Sequence, residues 1–180
     1  MIHNYIETRA EKFLIECNAL SVPVDVKYCA ETLNVRVKAV ELDEDVSGFL
    51  VFNGNQAHIG YNRTHGEHRH RFTIAHEIGH YLLHKNSNKL FIEKKQSAHE
   101  KVIYRNNNSS TGEYVIEREA NSFAAALLMP RKLVEKELAQ SHNLNNPDAL
   151  ISELADLFNV SAQAMRIRLT NLGIIDYDDQ

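Results

Sequence analysis

The chain has 180 residues, 43% of them hydrophobic and 24% charged, with a net charge of -4. That is the make-up of an ordinary folded chain of one domain or two small subdomains, and it excludes collagen-like, coiled-coil and disordered readings. The acidic balance also excludes a general nucleic-acid coat, so any DNA contact would have to be local. The opening residues MIHNYIETRAEKF lack the apolar run of a signal peptide, and no later stretch approaches the ~18 apolar residues of a membrane span. Two cysteines, Cys17 and Cys29, form no CxxC pair. The expected location is therefore the cytoplasm, with no cysteine-based zinc ribbon or disulfide framework.

In chain order, Ile6, Ala10, Phe13, Leu14 and Cys17 mark the apolar stripe of a first helix, and Ser21-Val22-Pro23 separates it from a short second helix ending near Asn34. From Val35 the pattern alternates through Val37, Val40 and Leu42, then runs through Gly48 to Phe52, Asn53-Gly54-Asn55 and Ala57 to Tyr61. Asn-Gly between β-prone runs signals a hairpin, and these segments predict a small three-stranded antiparallel sheet. A helix from about Arg69 to Lys85 follows, then a polar interval from Asn86 to Gly112 with a candidate strand at Leu90 to Glu93. Helices are expected over Glu113 to Leu128, Pro130 to about Gln140, Leu150 to Phe158 and Ser161 to Asn171. The expected fold class is α+β, with a first domain over residues 1–142 and a helix-turn-helix-like C-terminal subdomain over 143–180 packed on it.

Histidine, with ten residues, outnumbers glycine, and seven of the ten lie between His58 and His84. Within that stretch His76-Glu77-Ile78-Gly79-His80 has the HExxH spacing on a helix. Four residues advance a helix ~6 Å and almost a full turn, so both imidazoles leave one face and can meet one zinc ion. Glu77 then lies beside the open coordination position, where a carboxylate can act as general base on water activated by the metal. The apolar neighbours Phe72, Ile74, Ala75, Leu82 and Leu83 put the pattern in an amphipathic core helix rather than a surface one.

A catalytic zinc commonly takes three protein ligands and keeps one position open. His84 continues the series but stands ~12 Å along the axis from His76, too far to share an ion. The metzincin extension needs a histidine at position 86, which is Asn86. A carboxylate from the helix beginning near Glu113 is the other route, with Glu113, Glu117 and Glu119 as candidates. At ~100° per residue, the apolar set Ile116, Ala120, Phe123, Ala124, Leu127 and Leu128 centres closer to Glu117 than to Glu119. Glu113 points near the middle of the apolar arc, but in a first turn, where a carboxylate also serves the helix dipole. One turn after Glu117, Asn121 is placed to hydrogen-bond the far nitrogen of a ligand histidine. Tyr61, Tyr81, His99, Tyr104 and Tyr114 are candidates for stabilising a tetrahedral oxyanion. An edge strand of the sheet is a candidate partner for an extended substrate backbone.

The two segments Arg71-Phe72-Thr73-Ile74-Ala75-His76-Glu77-Ile78-Gly79-His80 and Glu117-Arg118-Glu119-Ala120-Asn121-Ser122-Phe123-Ala124-Ala125-Ala126-Leu127-Leu128-Met129-Pro130, in that order, resemble the ImmA/IrrE family of bacterial zinc metallopeptidases. Val46 to Leu50 and Ile59 to Asn62 are similar to the family's hairpin, so the resemblance covers roughly residues 20–140. It implies a thermolysin-like site with Zn2+ held by His76, His80 and Glu117, and with Glu77 as catalytic base. Asn121 stands where a thermolysin-like enzyme has an aspartate. The resemblance also implies a task, cleavage of a helix-turn-helix repressor of a mobile element, phage or stress regulon.

Residues 150–172 have helix-turn-helix spacing with Ser161 as an N-cap, but only Arg166 and Arg168 oppose Glu153 and Asp156, which favours packing over DNA binding there. The rival functional reading is a metal-containing, non-proteolytic regulator acting through DNA or a partner protein.

Overall fold

The computed structural model describes residues 2–54, 56–84, 91–94 and 110–176. Its elements run α1 (Ile2–Glu16), α2 (Val26–Thr32), β1 (Val35–Val40), β2 (Val46–Asn53), β3 (Gln56–Asn62), α3 (Glu67–His84), β4 (Phe91–Lys94), α4 (Ser110–Leu128), α5 (Arg131–Leu138), α6 (Pro147–Phe158) and α7 (Ala162–Asn171). The expected α+β class holds. The stripe expected on the first helix is the buried one, with Ile6, Ala10, Phe13 and Leu14 all inside, and it faces α4. Asp25 starts α2 by accepting hydrogen bonds at Oδ1 from the backbone N–H groups of Lys27 and Tyr28, both at 3.0 Å.

The sheet has the order β1-β3-β2-β4. β2 and β3 form the expected antiparallel hairpin, with Asn53 opposite Gln56 and Gly54 at φ 59° in the turn. The expectation of three antiparallel strands is corrected in two respects. β1 pairs in parallel with β3, from Val35 opposite Ala57 to Val40 opposite Asn62. The candidate strand near Leu90 is β4, and it adds an antiparallel fourth member beside β2. Because β3 lies between β1 and β2, the segment from Glu41 to Asp45 must carry the chain past a whole strand. Asn62, fully buried, anchors that crossing: its Nδ2 donates to the carbonyls of Leu42, Asp43 and Val46, at 3.3, 3.1 and 2.9 Å. Its Oδ1 accepts from the Thr64 N–H and hydroxyl, so one side chain fixes both the crossing and the entry to α3.

α3 lies against the sheet and α4 crosses α3. Both approaches depend on glycine. A Cβ at Gly48 would stand 2.3 Å from Thr73 Cγ2, and one at Gly79 would stand 3.2 to 3.3 Å from Phe123 Cδ1 and from Ala120 Cα and O. The second contact brings α4 within reach of the histidine face of α3.

α4 begins at Ser110, three residues before the expected start, and the rest of the polar interval from Lys85 to Leu90 and Lys95 to Ser109 lies outside the described residues. α6 starts at Pro147 with Asn146 as its cap, and ends on Asn159 in the left-handed conformation, φ 51°. Ser161 caps α7 as expected, accepting from the Ala164 N–H at 3.1 Å. Leu150, Ile151, Leu154, Phe158, Met165 and Leu169 belong to the same apolar cluster as Phe13, Ile74, Ile78 and Phe123. Each such fully buried side chain is worth ~1.5–3 kcal/mol relative to exposure, and these contacts hold the C-terminal helices to the rest of the core.

Candidate metal centre

His76 and His80 project from the middle of α3, one turn apart, and both are 1% exposed. Glu117 reaches them from the N-terminal half of α4. His76 Nε2 lies 2.9 Å from His80 Nε2, Glu117 Oε2 lies 3.2 Å from His76 Nε2, and Glu117 Oε1 lies 3.3 Å from His80 Nε2. A tetrahedral ion with bonds of about 2.0–2.1 Å sets its donors about 3.3–3.4 Å apart. Two imidazole nitrogens 2.9 Å apart, each facing one oxygen of the same carboxylate at 3.2 and 3.3 Å, stand at nearly that spacing, and both the spacing and the ligand chemistry fit a zinc ion. Among the described residues this is the one grouping of three or more His, Cys, Asp or Glu side chains able to hold a metal.

Of the three candidate carboxylates, Glu117 joins the histidines. Glu119 turns the other way to His84, with 3.6 Å between Oε2 and Nε2. The side chain of Glu113 lies outside the described residues. His84 stays off this group, as its axial distance required. Asn121 meets His76, whose Nδ1–H donates to Oδ1 at 2.9 Å, which in a neutral ring leaves the Nε2 lone pair aimed at the site. Glu77, next to His76 on α3, is fully buried.

Electrostatics agree with that geometry. Burial alone would push the Glu117 carboxyl up, but hydrogen bonds and charge from His76 and His80 outweigh it and hold the group at about 2. Burial lowers the His80 pKa below its ordinary 6.5 and outweighs the opposing hydrogen bond to Glu117. At neutral pH the site therefore presents an anionic carboxylate and a neutral imidazole, the forms that bind metal.

Of the oxyanion candidates, Tyr61 packs against the His70 ring at 4.7 Å and under Lys27, and Tyr81 stacks on Phe52 at 6.1 Å. Tyr114 is 68% exposed near the start of α4. Tyr104 and His99 lie outside the described residues. β4 is the edge strand on the side of the sheet next to β2 and makes contact with α3.

Two contributors escaped the sequence reading. Gly79 and Ala120 are the pair whose small size lets α4 close on α3, and a glycine inside HExxH facing an alanine in the second motif was the available signal. Arg71, within the first motif, donates from Nε to the Asn159 carbonyl at 3.0 Å and from Nη2 to that of Phe158 at 3.4 Å.

An α+β fold that brings a helical histidine pair and a carboxylate from a second helix to one point, with a buried glutamate beside the first histidine, defines a metallopeptidase-type domain. The chain belongs to the IrrE N-terminal-like domain family (Peptidase_M78), whose model matches residues 30–170. It is also similar to "Uncharacterized immunity region protein 2" of Bacillus phage phi105, 24% identical over 139 residues that cover 77% of this chain and 75% of that protein. Among the described residues no helix is long and apolar enough to cross a membrane.

Proposed function

We propose that the protein is a zinc-dependent endopeptidase of the cytoplasm that hydrolyses a peptide bond in a protein regulator, a helix-turn-helix repressor. The observation that carries this reading is the convergence of His76, His80 and Glu117 within 4.8 Å of one another, with Glu77 adjacent on the same helix. His76, His80 and Glu117 would hold the ion. Zinc supplies Lewis-acid polarisation of an oxygen and lowers the pKa of water towards ~7.

The rest is done by side chains of this chain. Asn121 holds His76 in the tautomer whose Nε2 faces the site. Glu77 takes a proton from the attacking water and delivers it to the nitrogen of the departing amine, so that one buried carboxylate acts as base and then as acid. Its burial keeps bulk water from competing for that proton. The open backbone groups of an edge strand such as β4 suit an extended substrate segment, which would add to the sheet by backbone pairing. Similarity to a phage immunity region protein supports a regulatory target over general digestion.

The experiment is incubation of the purified zinc-loaded chain, and of Glu77→Gln, with the helix-turn-helix repressor encoded nearest its gene, followed by intact-mass analysis. The reading expects two fragments with the wild type and none with Glu77→Gln at equal zinc content. An uncleaved repressor whose target genes are nevertheless released equally by both proteins would favour the non-proteolytic regulator.

A further inference from the structure

The metal ligands sit on two different helices, so the site is only as exact as the crossing of α3 and α4. Glu117 and Met129 are twelve residues apart, about 18 Å along the axis, and a tilt of about 5° at Met129 would move Glu117 by about 1.6 Å. Metal–ligand distances hold to about 0.2 Å. Something must fix both helices against rotation of that size, and each of them is tied to the C-terminal helix pair by an arginine at a helix C-terminus.

Arg71 of α3 donates to the carbonyls of Phe158 and Asn159, the last residue of α6 and its C-cap. Those carbonyls lack intrahelical partners and carry the negative end of the helix dipole, so a guanidinium is suited to them. Asn159 returns the contact, its Nδ2 donating to Glu67 Oε1 at 2.6 Å, one turn before Arg71 on α3. Arg168 of α7 is 2% exposed and donates from Nε to the carbonyl of Met129, just past the end of α4, at 2.9 Å. Its other nitrogens form a two-pronged pair with Glu7 of α1, through Nη1 to Oε1 and through Nη2 to Oε2 at 2.9 Å. Since α1 also packs along α4, α4 is gripped at its end and along its side.

We infer that Arg71 and Arg168 are positioning residues of the metal centre, and that α6 and α7 act as a brace that fixes the α3–α4 crossing. This rests on the zinc reading of the triad. The helix-turn-helix spacing of residues 150–172 is thereby given a mechanical role within the peptidase, and the two arginines are spent inside the molecule.

The test is zinc affinity of the full chain by chelator competition, with the visible spectrum of the Co2+-loaded protein as a probe of ligand geometry, for wild type, Arg71→Ala, Arg71→Lys, Arg168→Lys and Asn159→Gly. Arg168→Lys keeps a charge for Glu7 while losing the fork. Glycine suits the φ of 51° at Asn159, so Asn159→Gly removes only the bond to Glu67. With far-UV circular dichroism unchanged, zinc Kd should rise about 10–100-fold for Arg71→Ala and Arg168→Lys, a range typical of lost outer-shell support, with altered cobalt bands. Asn159→Gly should cost about threefold, and Arg71→Lys should recover part of the loss. Folded variants that match wild type within twofold, with the same cobalt spectrum, overturn the brace. A wild type that takes up no zinc overturns the zinc reading, and the brace with it.

Discussion

α3 with α4, and α6 with α7, are both helix pairs that carry charged side chains into a mostly apolar core, yet they use them in opposite ways. In the C-terminal pair the buried charge is consumed internally, Arg168 on Glu7 and the Met129 carbonyl, while Arg166 with Asp148 and Glu153 with Ser141 and Asn143 pair at the surface. In the α3–α4 pair, His76, His80 and Glu117 turn their donor atoms on one another at 2.9 to 3.3 Å. Two imidazoles and a carboxylate packed that closely make poor structural cement, since replacing such groups by apolar residues is often neutral or stabilising. As ligands, the same three groups are well placed. A charged residue on an amphipathic helix therefore has two very different fates: it is paired off within the fold, or it joins a group of side chains able to hold a metal.

Four changes sharpen that contrast. The largest effect is expected from Glu77→Gln, which should lower peptide hydrolysis by about 10³-fold while zinc content stays near one per chain. Retained cleavage would remove Glu77 from its proposed role. Next, Arg168→Met should cost about 3–5 kcal/mol of folding free energy in urea denaturation, because it removes the buried guanidinium that joins the Glu7 carboxylate and the buried Met129 carbonyl. In the other pair, Glu117→Ala should leave the metal-free chain within about 1 kcal/mol of wild type, since its side chain is 43% exposed, and yet abolish zinc binding. Equal stability losses from these two substitutions would erase the distinction. Gly79→Ala should cost about 1–3 kcal/mol, less than Arg168→Met, and weaken zinc binding without abolishing it, because its Cβ must displace Phe123 and the Ala120 backbone.

Acid should act on the α3–α4 pair. Burial lowers the His80 and His84 pKa values below 6.5 in the folded chain. The unfolded chain therefore binds more protons as pH falls below 6.5, so stability is full above that point and declines beneath it. Glu117, held at about 2 against an ordinary 4.5, adds a second loss as pH falls from 4.5 towards 2. The melting temperature of the metal-free protein should accordingly fall between pH 6.5 and 5, and His80→Asn should shallow that slope. A slope unchanged in His80→Asn would mean the ring titrates normally.

Local patterns carried most of the site. HExxH is a statement about one helix face, and Glu117 followed from the angle it makes with Ile116, Ala120 and Phe123, because 3.6-residue periodicity is written into consecutive residues. Asn53-Gly54 announced the β2–β3 hairpin for the same reason. The parallel pairing of β1 with β3 was not legible: alternation over Val35 to Val40 is identical whichever neighbour and direction the strand takes, and the choice is made by Asn62 and the Glu41–Asp45 crossing. Packing rather than DNA binding was legible for residues 150–172 from their charge balance, but the partner of Arg168 was not, since only the tertiary fold shows it 2% exposed against Glu7. Arg71 stood in plain view within the first motif, but its partners lie 87 and 88 residues away.

The most direct test of the central claim is the metal content of the purified chain by elemental mass spectrometry under mild chelation, beside His80→Ala, Glu117→Ala and Glu119→Ala. The geometry predicts about one zinc per chain in wild type and Glu119→Ala, and none in His80→Ala or Glu117→Ala. Zinc retained by Glu117→Ala, or wild-type zinc no higher than in His80→Ala, would contradict it.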